Sequence, residues 1–388
     1  MTNASNKTDI LIVGSGMAGM TLVREVRKLD KDVTVHMITA DDGAQYSKPM
    51  ISNAFAQGKG ADDLVQKDAD TFAAEFSVTM WTHTDVFAIN RSSKSVLINT
   101  LNGRDVIEYG QLVLAVGASP RPFTPEGYGP IPLPSVNSLD DYRHWRGEFA
   151  PGERILIVGA GLIGVEFSND LVNAGFGVDV VDIASQPLGR LLPNELGQLL
   201  QERLEQAGVS FHLGRTIERM SVNEAVLDNG LKVSYDHALS AIGLVPNTKL
   251  AQECGLKVDQ GILVDPFLMT SDPHIYALGD CAQTQAGVLP YVQPLMIEAR
   301  ALAKTLVDDP TQVELPALPV AVKTPALPTV VCPPAPGAKG KWAIEGVGLD
   351  RRAVFVAENG HSLGFVLTGA ETKQRMSLSR EMPALLAA

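Results

Sequence analysis

The chain has 388 residues, 45% hydrophobic, 20% charged and 6% aromatic, the composition of a folded protein rather than a disordered one, and long enough for two or three domains. A formal net charge of -12 argues against the clustered basic surface that a nucleic-acid backbone requires, so no nucleic-acid partner is expected. Cys254, Cys281 and Cys332 form no CxxC or metal-ligand spacing, and no run reaches the roughly 18 apolar residues of a membrane span, so a cytoplasmic protein without disulfides, metal or membrane insertion is predicted.

In chain order, the apolar run DILIV (9–13) is predicted as a buried strand, followed by the turn GSGMAG, a helix from about Met17 to Leu29 and a second strand at 33–38. Gly14 permits the tight turn, Gly16 lets backbone N–H groups approach a pyrophosphate, and Gly19 lets the helix lie close to the sheet. Beyond the second strand, Asp41 is a candidate ribose ligand, with a solvated loop carboxylate as the alternative. The series recurs: RILIV (154–158), GAGLIG, a helix from about Leu162 to Asn173, and VDVVD (178–182). Here Gly159, Gly161 and Gly164 repeat the cradle, and Asp182 stands at the strand end. A carboxylate there accepts hydrogen bonds from ribose hydroxyls and repels a 2′-phosphate, and no Arg follows within DIASQPLG, which favours NADH over NADPH. Glu166 follows on the first turns of the helix, where interaction with the helix dipole is the alternative to a binding role.

Two strand-like segments, LVLAVGASP (112–120) and HALSAIGLVPN (237–247), end in similar glycine and proline punctuation and read as crossings between domains. In TSDPHIYALGDCA a strand at 274–278 ends in Gly279 and Asp280; this aspartate either binds a sugar-like hydroxyl chain or caps a turn. VQPLMIEARALAKTL reads as a helix with Pro294 near its first position. The proline-rich stretch 314–337 is a linker or an edge-strand region, and KWAIEGVG, RRAVFVAENG and SLGFVLTGA alternate like short antiparallel strands.

The two cradles and the Gly-Asp pair together resemble the pyridine nucleotide:disulfide oxidoreductase superfamily. The resemblance implies an α/β fold: an FAD-binding domain at 1–118 and 244–314, an inserted NAD-binding domain at 119–243, both Rossmann-like, and a small α+β C-terminal domain at 315–388. It implies a tightly bound FAD held by Gly14, Gly16, Ala18, Gly19, Asp41, Ala115, Gly117, Arg121, Gly279 and Asp280, the last on the ribityl hydroxyls. NADH, as co-substrate, falls to Gly159, Gly161, Leu162, Ile163, Gly164, Asp182 and Gly243, with Glu166 on the nicotinamide side.

Most members of the superfamily carry redox cysteine near the flavin, whereas the corresponding loop here, AQYSKPMIS (44–52), has none, so electrons are expected to leave to a separate protein. The loop is similar to the basic-residue–proline loop of the ferredoxin reductase branch, which implies Lys48 beside the flavin ring and Pro49 stiffening the loop; an exposed loop lysine is the alternative. The helix containing Pro294 then aims its N-terminus at the flavin, with Gln293 and Leu295 carried over. AVKTPALP (321–328), with TADDGAQYSKPM (39–50) and the compact tail, is most similar to the rubredoxin-reducing branch that serves alkane hydroxylation, and this makes Lys323 a candidate for the flavin edge or the carrier, against a solvated edge lysine. The implied reaction passes a hydride from NADH to FAD and single electrons on to rubredoxin, with Lys48 and Glu166 in catalytic roles. A [2Fe–2S] ferredoxin acceptor, an NADH oxidase and a flavin-based redox sensor are the alternatives. Residues 301–388 hold 9 Lys plus Arg against 8 Asp plus Glu, while residues 1–300 hold 23 against 36. Lys339, Lys341, Arg351 and Arg352 in that neutral tail are candidates to receive an acidic rubredoxin, with plain solvated surface as the alternative.

Overall fold

The computed structural model describes residues 6–387 except 148 and 151. Each cradle lies at the end of the first strand of its sheet, and the helix that follows carries the chain back so that the next strand pairs with the first in parallel. In the first sheet Lys7–Val13 lies between Val35–Ile38 and Gly103–Leu114, parallel to both. Thr79–Trp81 extends one side, and Ser95–Thr100 and Asp85–Asn90 extend the other in antiparallel sense. Ile275–Ala277 then joins Gly103–Leu114 in parallel, so the first sheet is completed only after the chain has built the second. That second sheet runs Val209–Leu213, Gly177–Asp182, Arg154–Val158, His237–Ser240, all parallel.

The two crossing segments pair with each other. Ala118–Pro120 is antiparallel to Leu244–Pro246, Arg121 donates its backbone N–H to Gly243 at 2.9 Å, and Asn247 donates to Gly117 at 3.0 Å. The unit built on the second sheet is therefore joined to the first by a two-stranded ribbon.

The remaining residues form a five-stranded antiparallel sheet in the order Val320–Val322, Thr329–Cys332, Ser362–Thr368, Asp350–Ala357, Gly340–Val347. The proline-rich stretch thus contributes an edge strand and an interior one. The interior strand Thr329–Cys332 is wholly buried, and prolines flank it without entering it, as ladder hydrogen bonding demands.

The cradle helices begin and end where the apolar spacing put them, at Met17–Leu29 and Leu162–Asn173. The first packs an apolar stripe, Leu22, Val23 and Val26, against Ala299, Leu302 and Leu306 of the helix Val292–Leu306. Surroundings of the second are different. Glu166, Ser168, Asn169 and Asp170 are all buried along with its apolar residues, because other parts of the chain cover the face that an ordinary amphipathic helix would leave wet. One core cluster joins all three parts there: Ile51 and Phe55, Val165 and Phe167, Val322, Leu327 and Val331.

Candidate active site

The two cradles share one stereochemistry. Gly14 and Gly159 sit at φ +113° and +110°, a region closed to most side chains, and a Cβ on either would stand 2.2 Å from the carbonyl oxygen of Ala115 or 2.6 Å from that of Ala241. A Cβ on Gly19 or Gly164 would meet the carbonyl oxygen of its own cradle's first glycine at 2.1 and 1.9 Å, so both helices press directly onto their turns. Gly16 and Gly161 differ: a Cβ at either meets nothing within 4 Å. These open positions are the N-caps of helices with no side-chain cap and no acidic residue in the first turn. At Leu139–Arg146 and Ala69–Phe76, by contrast, a side chain satisfies one such N–H group from within, Ser138 in the first and Asp68 in the second. Free N–H groups, a helix dipole and empty space above them fit a diphosphate at each cradle.

An aspartate backs each cradle. Asp41 Oδ1 accepts from Ser15 Oγ at 3.2 Å, Thr39 Oγ1 at 2.6 Å and the Gly43 N–H at 3.0 Å. Asp182 accepts from the Ala160 N–H at 2.5 Å on one oxygen and from the Ala184 N–H at 2.7 Å on the other. Both carboxylates are thereby fixed beside the turn, where an adenosine ribose would lie. Ser15 and Thr39 were not apparent beside Asp41 in the sequence, since neither a variable position of the glycine turn nor the residue after the strand Val35–Ile38 carries a spacing signal of its own.

Around the first cradle, Gly279 (φ +73°) lies against the Met17–Leu29 helix, with Ala18 Cβ 3.0 Å and Leu295 Cβ 3.9 Å from the point a Cβ would occupy. Asp280 is half-buried in the turn that follows, and burial raises its proton affinity while the Lys48 charge opposes that rise. Lys48 opens the short 3-10 segment Lys48–Asn53, with Pro49 in its first turn. Burial lowers its proton affinity, opposed by Asp280 and Asp141. Lys48 is therefore a partly buried cation within the field of Asp280 and Asp141 rather than a loose surface lysine. Glu298, which sequence reasoning passed over, is 3% exposed and accepts the Gly279 N–H at 2.7 Å.

Glu166 stands where the three parts meet. Its Oε1 accepts from the Lys323 backbone N–H at 3.0 Å, and its Oε2 accepts from Ser52 Oγ at 2.7 Å and from the Lys323 ammonium. On the next turn Asp170 accepts from the N–H groups of Phe55 and Ala56, and Asn169 Oδ1 accepts from Ala326. Leu162 and Ile163 pack into the shared core.

Other expected residues lie less centrally. Arg121 and Gln293 are exposed; of the two, Arg121 is tied to Gly243 through its backbone alone. Ala115 and Gly117 flank the first crossing, and Gly117 has φ +64°. Pro294 is the third residue of its helix, a position as tolerant as the first because that N–H has no partner within the helix. That helix too has no side-chain cap. Of the four candidate docking cations, Arg351 is occupied by the carbonyls of Gly346 and Gly348 and lies 3.4 Å from Glu195, and Arg352 pairs with Glu345. Lys339 and Lys341 are exposed. Cys281, next to Asp280, is wholly buried and points at the carbonyls of Leu114 and Leu278, and burial pushes its thiol up to about 12. It is a core side chain rather than a redox thiol.

Residues 8–301 match the pyridine nucleotide-disulphide oxidoreductase family, and residues 312–382 match the rubredoxin binding C-terminal domain. The chain belongs to the pyridine nucleotide-disulphide oxidoreductase family. It is 44% identical over 382 residues to the Rubredoxin-NAD(+) reductase of Alcanivorax borkumensis, covering 97% of this chain and 99% of that one. It is 42% identical over 389 residues to the protein of the same name from Acinetobacter baylyi, covering 98% and 99%. The solved structure of a ferredoxin reductase for the CYP199A2 system from Rhodopseudomonas palustris has the same fold, with a TM-score of 0.86 at 24% identity over 98% of this chain and 96% of that one.

Proposed function

We propose that this chain is an NADH-dependent reductase of rubredoxin that works through bound FAD. The observation that carries the reading is the union, in one chain, of two open glycine cradles joined by a ribbon with a rubredoxin binding domain whose Lys323 reaches the second cradle helix. FAD, when bound, supplies the ability to accept a hydride and to give up electrons singly.

The chain's own part is positioning and electrostatics. The first cradle (Gly14, Gly16, Ala18, Gly19) and Asp41 would hold the adenosine diphosphate half of FAD, with Ala115 and Gly117 lining the turn beneath it. Asp280 would hold the ribityl hydroxyls, and Lys48 and Pro49 the ring, with Leu295 and Gln293 at the helix end beyond it. The second cradle (Gly159, Gly161, Leu162, Ile163, Gly164) would take the NADH diphosphate, Asp182 its ribose, and Glu166 the nicotinamide side. Gly243 and Arg121 sit at the ribbon between the two. Asp182 prefers NADH because both its oxygens are fixed beside the cradle and would repel a 2′-phosphate. Lys323 stands at the flavin edge in this reading. Among the described residues no helix is long and apolar enough to cross a membrane; we place the reaction in the cytoplasm and, from the likeness of AVKTPALP to that branch, assign the reduced rubredoxin to alkane hydroxylation.

Stopped-flow reoxidation of the NADH-reduced holoprotein tests the proposal. Rubredoxin is expected to restore the flavin absorbance at least tenfold faster than a [2Fe–2S] ferredoxin or oxygen. Equal rates with all three would overturn the assignment of the carrier.

A further inference from the structure

The reduction of rubredoxin leaves one buried ionisable group without a part. Glu298 lies on the apolar face of Val292–Leu306, between Leu295 and Leu302, and is 3% exposed. Its one hydrogen bond among the described residues comes from the Gly279 N–H, the residue before Asp280. Among those residues no cation is paired with it. On its own helix Arg300 and Lys304 are exposed. On Met17–Leu29, packed along that helix, Arg24 lies over the rings of Phe72 and Phe76, and Arg27 is held by the carbonyls of Phe76, Val33 and Ser77. Lys28 pairs with Glu25, which is also 3.9 Å from Arg300. From the 3-10 turn Gly279–Cys281 the titratable groups are Asp280 and the Cys281 thiol.

A carboxyl so placed is sensitive to any further negative charge. Burial already pushes Glu298 up to about 7, with Asp280 adding to the rise and the Gly279 N–H opposing it. The cradle that fits the FAD diphosphate is close: Ala18, inside GSGMAG, is 3.0 Å from the point where a Gly279 Cβ would stand. Bringing a dianion to that cradle favours the neutral form of Glu298, whose Oε2 can accept the Gly279 N–H in either state.

We propose that Glu298 is a proton-linked positioning residue of the flavin site: FAD binding is accompanied by uptake of one proton at Glu298, which then holds the Gly279–Asp280 turn as a neutral acid. The inference rests on the reading of GSGMAG and Asp280 as the FAD site. The direction of the linkage follows. A group whose proton affinity is higher in the bound state gives its full contribution at a pH below its free-state value and loses it as pH rises through the bound-state value. FAD affinity is therefore level below about pH 7 and falls above it, by up to about tenfold for each further pH unit until the bound-state value is passed.

The test uses the full chain, freed of flavin and titrated with FAD by fluorescence quenching from about pH 6 to about pH 9. Affinity in the wild type should fall at least tenfold across this range, while in Glu298→Gln it should be flat and match the low-pH wild-type value. In weakly buffered indicator solution the wild type should take up close to one proton per FAD near neutral pH, and the Gln variant close to none. Equal pH dependence in both proteins, or uptake that persists in the variant and so belongs to Asp280, would overturn the proposal. If Glu298→Gln fails to fold, infrared difference spectra of FAD binding to the wild type and to Asp280→Asn decide: a carboxylate band must give way to a protonated carboxyl band in both, and its absence from either overturns the assignment. A chain that binds no FAD at any pH contradicts the proposed function itself, whereas pH-independent binding removes only the role of Glu298.

Discussion

Lys323 donates to Glu166 twice, through its backbone N–H to Oε1 at 3.0 Å and through its ammonium to Oε2. One residue of the rubredoxin binding domain thus engages both oxygens of a buried carboxylate on the helix of the second cradle, and Ser52 adds a third donor from the segment that carries Lys48. A nicotinamide seated at Glu166 would compete with these partners. Removing the carboxylate leaves the half-buried Lys323 ammonium unpaired, and breaking such a pair from one side costs about 3 kcal/mol. We expect Glu166→Ala to lower the melting temperature by several degrees and kcat/KM for NADH by at least tenfold. Glu166→Gln, which keeps a hydrogen-bonding oxygen, should melt closer to wild type while losing most of the same activity. With Lys323→Met the double variant should lose less than the two single losses summed, because both remove one interaction. Strict additivity in thermal melts and NADH kinetics would show the pair to be idle.

The open glycines separate the two nucleotide sites experimentally. Gly16→Ala adds a methyl where the protein has nothing within 4 Å, so the flavin-free chain should unfold within about 0.5 kcal/mol of wild type. FAD content after purification should nevertheless fall at least tenfold. Gly161→Ala should leave the flavin complement intact and raise the KM for NADH at least tenfold. Gly14→Ala is the control with the opposite outcome: its methyl would stand 2.2 Å from a backbone oxygen, so it should disrupt folding itself. Flavin content, melting curves and NADH saturation measured on the three variants check all of this.

These cradles were legible in the sequence because glycine spacing and apolar periodicity are local properties, and helix bounds at Met17–Leu29 and Leu162–Asn173 agree with the structure for that reason. The neighbours of Glu166 were not legible. Ser52 and Lys323 lie 114 and 157 positions away, and nothing near Glu166 distinguishes a dipole-facing carboxylate from one clasped by two other domains. Asn169 and Asp170 were hidden in the same way. A run of polar residues on a helix reads as a wet face until the chain that covers it is known. Glu298 did leave a trace, an acid at apolar spacing between Leu295 and Leu302, but the charged Arg300 beside it made the helix look conventionally amphipathic. At Arg351 the sequence showed charge without showing that hairpin carbonyls and Glu195 occupy it.

Lys48 gives a pH dependence with a fixed sign. Burial lowers its proton affinity from 10.5, and Asp280 and Asp141 oppose the fall without cancelling it. A lysine so shifted carries its charge below the lowered value and loses it as pH rises through that value, so the alkaline limb of its activity begins before the ordinary lysine range. Single-turnover reduction of the holoprotein by NADH should therefore slow toward high pH. Lys48→Arg should extend the fast plateau to the alkaline end of the range, because a guanidinium does not titrate there. Lys48→Met should be slower at least tenfold at neutral pH and free of that limb. Flavin bleaching followed in a stopped-flow instrument between about pH 7 and about pH 10 distinguishes the three profiles. An unchanged limb in Lys48→Met would assign it to another group.

Rubredoxin docking is expected to depend on the exposed lysines and not on the arginines that follow them. Lys339 and Lys341 are exposed, whereas Arg351 braces its hairpin and approaches Glu195, and Arg352 is engaged with Glu345. Charges on a docking rim act mainly through the association rate and are screened by salt. Replacing both lysines by Glu should raise the KM for rubredoxin several-fold at low ionic strength, leave kcat nearly constant, and flatten the dependence of kcat/KM on salt. Arg352→Ala should leave rubredoxin kinetics near wild type. Arg351→Ala should lower the melting temperature, since it removes two bonds to carbonyls and a contact between domains, yet keep the salt dependence. If instead the arginine variants flatten the salt dependence and the lysine variants do not, the positive ground lies at the Arg351–Arg352 end of that hairpin, and the ion pairs there must open for the carrier to bind.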